Sequence, residues 1–385
     1  MTEVQTRGLT DDMVKEAGRL LGVWLRRDVH WPAFAEPVSQ HDIRRWALFS
    51  CGDDNPLWCD PDYAKTTIWT KTIAPPCYLF NIDTTIVAPG LPGIQWVGGE
   101  HNFELFSPVY VGDTIAARAR LIKVTEKQGR RVPRFVIQTG ETLFYNQNQR
   151  LVGRVVTDIL RIPRARSGQG LRNVGDNKLE AVQPKYTPEQ IESIRQEYLN
   201  EERRGGTPRM WEDVNVGDVI PRIVKGPLTL VDIVGFYAGR HHVYNPLKLA
   251  FLERERHKGN VYVSPNTGIP IHPAAGHFDS DIAREVGFPR AYDQGWMRTN
   301  WITHMLTNWA GDMSFLRKLD MRLSAPNYVG QTTWCKGEVV RKYQEDGRYL
   351  VEVKCWAENE KSEVTVKSNA IIQLPSRNLD DKFEI

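Results

Sequence analysis

The feature that most constrains this chain is that it reads twice. Asp42-Ile43 and Asp232-Ile233 each stand the same distance before an Asn-Pro-Leu run, Asn55-Pro56-Leu57 in the first half and Asn245-Pro246-Leu247 in the second. Trp58-Cys59-Asp60-Pro61-Asp62-Tyr63-Ala64 is matched by His277-Phe278-Asp279-Ser280-Asp281-Ile282-Ala283. Ser107-Pro108-Val109-Tyr110-Val111-Gly112-Asp113-Thr114 is matched by Ala325-Pro326-Asn327-Tyr328-Val329-Gly330-Gln331-Thr332. Three blocks recurring in the same order point to one unit duplicated. The separation widens between the first and second blocks, so the second copy carries an insertion, residues 248–276.

Periodicity gives each copy the same plan. Asp11 to Arg26 reads as an amphipathic helix through Val14, Leu20, Leu21 and Trp24. Ser39 with Asp42, and Thr229 with Asp232, have the capping-box spacing that opens a helix. Ile73 to Ile82 reads as helical turns interrupted by Pro75-Pro76, and Gly295 to Trp309 as a long apolar helix. Thr114–Val124, Arg134–Tyr145 and Leu151–Ile162 read as antiparallel strands, as do three or four segments between Leu319 and Leu374. The fold class expected is α+β, each copy a long helix followed by an antiparallel sheet that the helix covers. The units are 1–165, a linker with a charged helix at 166–207, and 208–385. The linker is open to two readings, a strap over the surface or a solvated connector.

Composition narrows the class. The 385 residues are 41% hydrophobic and 25% charged, enough to bury a normal core. A net charge of +3 does not argue for nucleic acid. Five scattered cysteines without a C-x-x-C pair suggest free thiols in a reducing compartment. No apolar run approaches the roughly 18 residues of a membrane span, and the first ten residues are polar. A cytoplasmic protein that does not enter a membrane is expected.

Gly52-Asp53-Asp54-Asn55-Pro56-Leu57, followed by Asp60 and Ala64, resembles the hydratase signature of the MaoC-like, or (R)-specific enoyl-CoA hydratase, family. That signature runs Gly-Asp-x-Asn-Pro-x-His, then Asp and Ala. The resemblance covers both halves, Ser39 to Ile162 and Trp211 to Leu374. It implies a double hot-dog, two copies of a long helix wrapped by an antiparallel sheet, acting on an acyl-CoA thioester. It further implies no cofactor beyond the CoA of the substrate, no metal, and assembly into a homodimer or higher oligomer. In the family an Asp and a His of the signature activate water and move a proton across the enoyl double bond, while backbone N–H groups polarise the thioester carbonyl. Carried over by position, the Asp is Asp53 in the first copy and Val243 in the second. The His is Trp58 in the first copy and His277 in the second. Neither copy holds the whole pair.

Three arrangements follow. The insertion delivers a substitute to His277, with His272, Glu253, Glu255, Asp279, His241, His242 and Tyr244 as candidates. Alternatively Asp53 and His277 meet across the two copies. Thirdly, hydration is lost and the protein only binds an acyl thioester, or cleaves it with Asp279 or Asp293 as the acting carboxylate. His277 suits a base because imidazole titrates near neutrality. Asp279 is matched by Asp60 in the other copy, so capping the next helix competes with catalysis. Asp53 and Asn55 compete with a loop-shaping role. Tyr292 and Asp293, candidate proton donors, precede Gly295 where the family has a substrate-lining turn. Arg298 is suited equally to an acid partner and to a substrate carboxylate or CoA phosphate. Five of the nine histidines lie between His241 and His277 without an H-x-x-x-H or a cysteine partner, which weighs against a metal.

Overall fold

The computed structural model describes residues 8–29, 36–129, 134–163, 183–240, 247–256, 261–264, 266–285, 287–378 and 383. Val243, His241, His242, Tyr244 and Asn245-Pro246 lie outside the described residues, as does the side chain of Glu253. The helices are α1 (Asp11–Gly18), α2 (Gln40–Arg45), α3 (Pro56–Cys59), α4 (Pro61–Lys65), α5 (Leu79–Ile82), α6 (Pro188–Leu199), α7 (Leu230–Ala238), α8 (Leu247–Arg256), α9 (Ser280–Glu285) and α10 (Gly295–Ala310). The strands are β1 (Trp24–Val29), β2 (Ile94–Leu105), β3 (Ala116–Lys127), β4 (Phe135–Tyr145), β5 (Leu151–Pro163), β6 (Val219–Lys225), β7 (Tyr262–Val263), β8 (Pro270–Ile271), β9 (Phe315–Leu323), β10 (Thr333–Glu345), β11 (Arg348–Asn359) and β12 (Val364–Gln373). No helix among the described residues is long and apolar enough to cross a membrane.

One antiparallel sheet of ten strands contains both copies, in the order β1-β3-β4-β5-β2-β9-β12-β11-β10-β6. The order reads the same from either edge if each strand is replaced by its repeat partner. The copies join at β2 and β9, where Glu100 to Glu104 pair with Arg322 to Lys318. Small bonds repeat as faithfully as the strands. Ile73 bridges Tyr110 as Tyr292 bridges Tyr328. Gly112 N–H donates to Val38 as Gly330 N–H donates to Leu228. The capping boxes of Ser39–Asp42 and Thr229–Asp232 open α2 and α7. α2 continues as a π-helix, Trp46–Cys51, that packs on α7.

The copies part where the covering helix should lie. In the C-terminal repeat α10 is buried at every residue from Trp296 to Ala310 except Thr307. The N-terminal repeat lacks the long helix that periodicity and resemblance imply. After Pro75-Pro76 only a 3₁₀ turn and α5 form, and the chain then runs as an irregular strap from Asp83 to the start of β2, with Thr85, Gly90, Leu91 and Gly93 at positive φ. The strap and α5 lie directly on the sheet because the strand residue opposite each is a glycine. A Cβ at Gly140 would stand 2.4 Å from Val87 Cβ, and one at Gly153 would stand 2.5 Å from Leu79 Cδ1. The strap's carbonyls are collected by Arg161 of β5, which is 1% exposed. Its guanidinium donates to Ala88 (2.8 Å), Leu91 (2.7 Å), Gly90 and Ile94 (both 3.2 Å), and to Gln138 Oε1 (2.6 Å). Burial lowers its pKa to about 9. Arg26 anchors the start of the strap through a two-pronged pair with Asp83, 2.7 Å on each prong.

Two further expectations change. The helix read over 11–26 is α1 and then strand β1, separated by Gly22 in the left-handed region at φ 75. Residues 183–207 of the linker form a strap: α6 packs on β6, Glu197 holds Arg222 of β6 and Trp334 of β10, and the chain then passes between the repeats. There Arg204 N–H donates to Asn308 and Gly205 accepts from Asp312 N–H.

Candidate active site

The two signature loops lie at opposite ends of α10. In the N-terminal loop Asp53 is 2% exposed and fully engaged. Its Oδ2 accepts from the Trp58 indole at 2.9 Å and its Oδ1 from Asn55 N–H at 3.0 Å. Asn55 in turn accepts from Leu57 N–H and donates to Asp312 at 3.1 Å. Both residues shape the loop. The tryptophan at the histidine position offers only a donor, and that donor is used.

Behind Asp53 lies a buried polar cluster that sequence reading missed. His304 Nε2 stands 3.6 Å from Asp53 and 3.1 Å from Glu201 of the linker. Its Nδ1 is 2.7 Å from Lys225 Nζ. The ammonium only donates, so Nδ1 accepts and Nε2 carries the proton toward the carboxylates. Burial alone would raise Glu201, but the hydrogen bond from His304, the charge of Lys225 and the hydrogen bond from Asn308 hold it at about 2. The one available signal was a lone histidine in the long helix α10. Its partners come from far along the chain.

The C-terminal loop keeps the histidine. The insertion folds as α8, the β7–β8 hairpin and a 3₁₀ turn, Pro273–His277, that ends on it. His272 caps that turn: its Nδ1 accepts from Ala274 N–H at 3.2 Å. His277 Nδ1 lies 3.0 Å from the Tyr292 carbonyl. A carbonyl only accepts, so Nδ1 carries the proton and the lone pair of the neutral ring is on Nε2. Burial lowers the pKa of His277 to about 4, against backbone hydrogen bonds that pull upward, and Arg298 and His272 add to the lowering. The rings of Tyr292 and Tyr237 flank it, 4.4 and 6.4 Å between centroids.

The other candidates sort by what they touch. Asp279 faces solvent, and its Oδ1 caps α9 by accepting from Asp281 N–H (2.7 Å) and Ile282 N–H (3.2 Å), as Asp60 caps α4. Arg298 lies 2.9 Å from Asp293 and donates to the carbonyls of Ala325 and Thr365. Asp293 also accepts from the backbone and side chain of Asn327. Burial raises Asp293 and lowers Arg298, and each partner's charge opposes that effect. Together they brace the Asn327–Gly330 turn beneath the start of α10. Gly295 begins that helix. A Cβ there would come within 2.7 Å of Leu323 Cδ1. Gln294 caps Trp296 N–H and Met297 N–H, while Gly295 N–H takes no partner among the described residues. His101 of β2, also missed from sequence, sits under this end, 3.8 Å from that Cβ position and stacked on Trp296. Burial, with Arg298, lowers it to about 3.

The fold thus gathers His272, His277, Tyr292, Gly295 and Arg298 at the N-terminal end of α10. It leaves Asp53 beside His304, nine residues or about 13 Å further along the helix. Asp53 and His277 do not meet.

Comparison with known proteins follows the same division. Residues 29–155 match the model of the FAS1-like dehydratase domain region. A UPF0336 protein of Parafrankia sp. is 32% identical over 94 residues, 23% of this chain and 62% of that one. An (R)-specific enoyl-CoA hydratase of Rhodospirillum rubrum is 29% identical over 85 residues, 22% of this chain and 58% of that one. The chain spans less than two thirds of the length of each of these relatives. Among solved structures, a MaoC-like dehydratase superposes with a TM-score of 0.60 at 17% identity, covering 93% of this chain and 98% of that one. A Mycobacterium tuberculosis protein described as a double hot-dog superposes with a TM-score of 0.53 at 13% identity, covering 90% and 94%. The protein therefore has the double hot-dog fold of the MaoC-like dehydratases, with an N-terminal repeat related in sequence to FAS1-like dehydratase domains.

Proposed function

We propose that the protein is a hydratase or dehydratase of enoyl- or 3-hydroxyacyl-CoA thioesters, with its chemistry in the C-terminal repeat. The observation that carries this is the hydrogen bond from His277 Nδ1 to the Tyr292 carbonyl. It leaves a neutral imidazole with its lone pair on Nε2, beside the N–H that opens α10 and takes no partner among the described residues. In hydration His277 Nε2 takes a proton from water as the water oxygen attacks C3. Gly295 N–H receives the negative charge growing on the thioester oxygen, helped by the positive end of the helix. The His277 imidazolium then returns that proton to C2, so one ring both takes and gives it. His272 caps the turn that ends on His277, its Nδ1 accepting from Ala274 N–H. The insertion in this way holds the histidine in place where the signature has an aspartate. Dehydration reverses these steps. A thioesterase reading is less favoured because Asp279 and Asp293, the carboxylates it would use, are engaged in capping and in bracing the turn.

The experiment is hydration of crotonyl-, branched- and aromatic enoyl-CoAs, followed by loss of the conjugated ultraviolet absorbance with free thiol measured in parallel. Absorbance loss without thiol release is expected. His277→Ala is expected to lower kcat about 1000-fold, in the range of a lost general base. Full activity in that variant, or thiol release by the wild type, overturns the proposal.

A further inference from the structure

The N-terminal copy places a residue of its own against the C-terminal site. His101 lies on β2, the strand that joins the copies, and is 2% exposed. In α10 it touches the opening turn. Its ring stacks on Trp296, 5.9 Å between centroids at 20°. Its Cε1 is 3.8 Å from where a Gly295 Cβ would stand. Its Nδ1 is 3.3 Å from Thr299 Oγ1. The strand pairs His101–Met321 and Phe103–Leu319 are exchanged by the repeat, so His101 occupies the position that is Leu319 in the C-terminal copy, also buried. An aliphatic side chain satisfies burial there, and the imidazole answers to something else.

The threonines of α10 show what that is. Thr299, Thr303 and Thr307 follow one another at four-residue spacing on one face. Thr303 Oγ1 donates back to the carbonyls of Thr299 (3.2 Å) and Asn300 (2.9 Å). Thr307 Oγ1 does the same to Thr303 and His304 (both 3.1 Å). Such back-bonding draws carbonyls aside and bends a helix. For Thr299 the carbonyl four residues back is that of Gly295, the residue whose N–H opens the helix at the site. Thr299 does not take it. Its buried hydroxyl has His101 Nδ1 as its one partner among the described residues. Burial, with the charge of Arg298, keeps the imidazole neutral. The hydroxyl therefore donates to Nδ1, and the ring carries its proton on Nε2.

We propose that His101 is a positioning residue for hydration: by drawing off the Thr299 hydroxyl it leaves the opening turn of α10 straight and the Gly295 N–H aimed at the thioester oxygen. This rests on the hydratase reading of the site, and it makes that site a joint product of both copies. A role in packing alone requires the ring; the positioning role requires the acceptor.

The test separates the two in the full-length protein. His101→Phe keeps a ring on Trp296 and removes the acceptor. Its kcat for crotonyl-CoA is expected to fall about 30-fold, a share of what a lost oxyanion donor costs, with KM within about twofold. His101→Asn keeps an acceptor and gives up the ring, and its kcat should stay within about threefold of wild type. Thr299→Val added to His101→Phe removes the hydroxyl and should bring kcat back to within about threefold. The same proteins are titrated with para-dimethylaminocinnamoyl-CoA, whose donor group slows hydration and whose absorbance moves to the red when the thioester oxygen accepts a hydrogen bond. The shift should be present in the wild type, in His101→Asn and in the double variant, and lose about half or more of its size in His101→Phe. Wild-type kcat in His101→Phe, no rescue by Thr299→Val, or a larger loss in His101→Asn than in His101→Phe overturns the proposal. An unshifted band in the wild type overturns it too. If the wild type hydrates no enoyl-CoA, yet its band shifts and His101→Phe abolishes the shift, the hydratase reading fails and the positioning of Gly295 by His101 holds.

Discussion

The N-terminal and C-terminal repeats share strands, turns and capping boxes, yet they solve the problem of covering a sheet differently. The C-terminal repeat buries a sixteen-residue helix whose backbone satisfies itself. The N-terminal repeat lays an irregular strap on the sheet, so its carbonyls need an outside donor, and Arg161 is that donor. The signature loops diverge in parallel. The loop facing the well-formed end of α10 keeps the histidine and an open helix N–H. The other keeps the aspartate, seals it with a tryptophan and backs it with the linker. Duplication left one copy free to become scaffold.

The largest expected effect tests the strap. Arg161→Leu should lose about 4 kcal/mol of stability in urea unfolding, since several buried carbonyls lose their donor at once. A loss under about 1 kcal/mol would show that the strap holds without it. Trp58→His rebuilds the signature in the first copy. It should cost about 3 kcal/mol, from removing a buried indole. In a His277→Ala background it should not restore hydration, because Asp53 remains backed by His304 and Glu201. Restored turnover would break the division of labour between the copies.

The next effect is on pH dependence. The folded pKa of His101 lies at about 3, below its ordinary value of 6.5. Between those values the unfolded chain binds the proton and the native state does not, so stability falls as pH drops through this window. His101→Phe keeps an aromatic ring on Trp296 and should reduce the loss between neutrality and pH 5 by about 2 kcal/mol. An unchanged acid limb in chemical unfolding would refute it. Smallest is Asp279→Ala. Removing one cap should cost about 1 kcal/mol and leave kcat within about twofold. A kcat loss near that of His277→Ala would return Asp279 to the reaction.

Much of this was legible in the sequence because it is local. Asn-Pro-Leu and Pro-x-Tyr-Val-Gly mark turns with fixed geometry, and alternation along 135–145 and 151–163 marks strands. The missing helix was only half legible. Pro75-Pro76 was visible as an interruption, but Leu79, Phe80 and Ile82 suit a long helix as well as the short α5 they form. What decides between them is Gly140, Gly153 and Arg161, which lie on other strands. The same holds at the site. His277 and Asp279 could be found by aligning the copies, whereas His304, Glu201, Lys225 and His101 are joined only by folding.

The passage of residues 201–208 between the repeats bears on how such a chain could be divided. Glu201 bonds His304 and Asn308 of one copy, and Arg203 pairs with Asp54 of the other. A break in the linker would not free two interchangeable halves. Whichever fragment kept this segment would carry the seam, and the other would expose its own side of it to water, His304 in the C-terminal copy or Asp53 in the N-terminal one. A gene encoding the repeats as separate subunits would have to assign the segment to one of them, so shuffling either half with a foreign partner would be tolerated only if the partner brought its own seam.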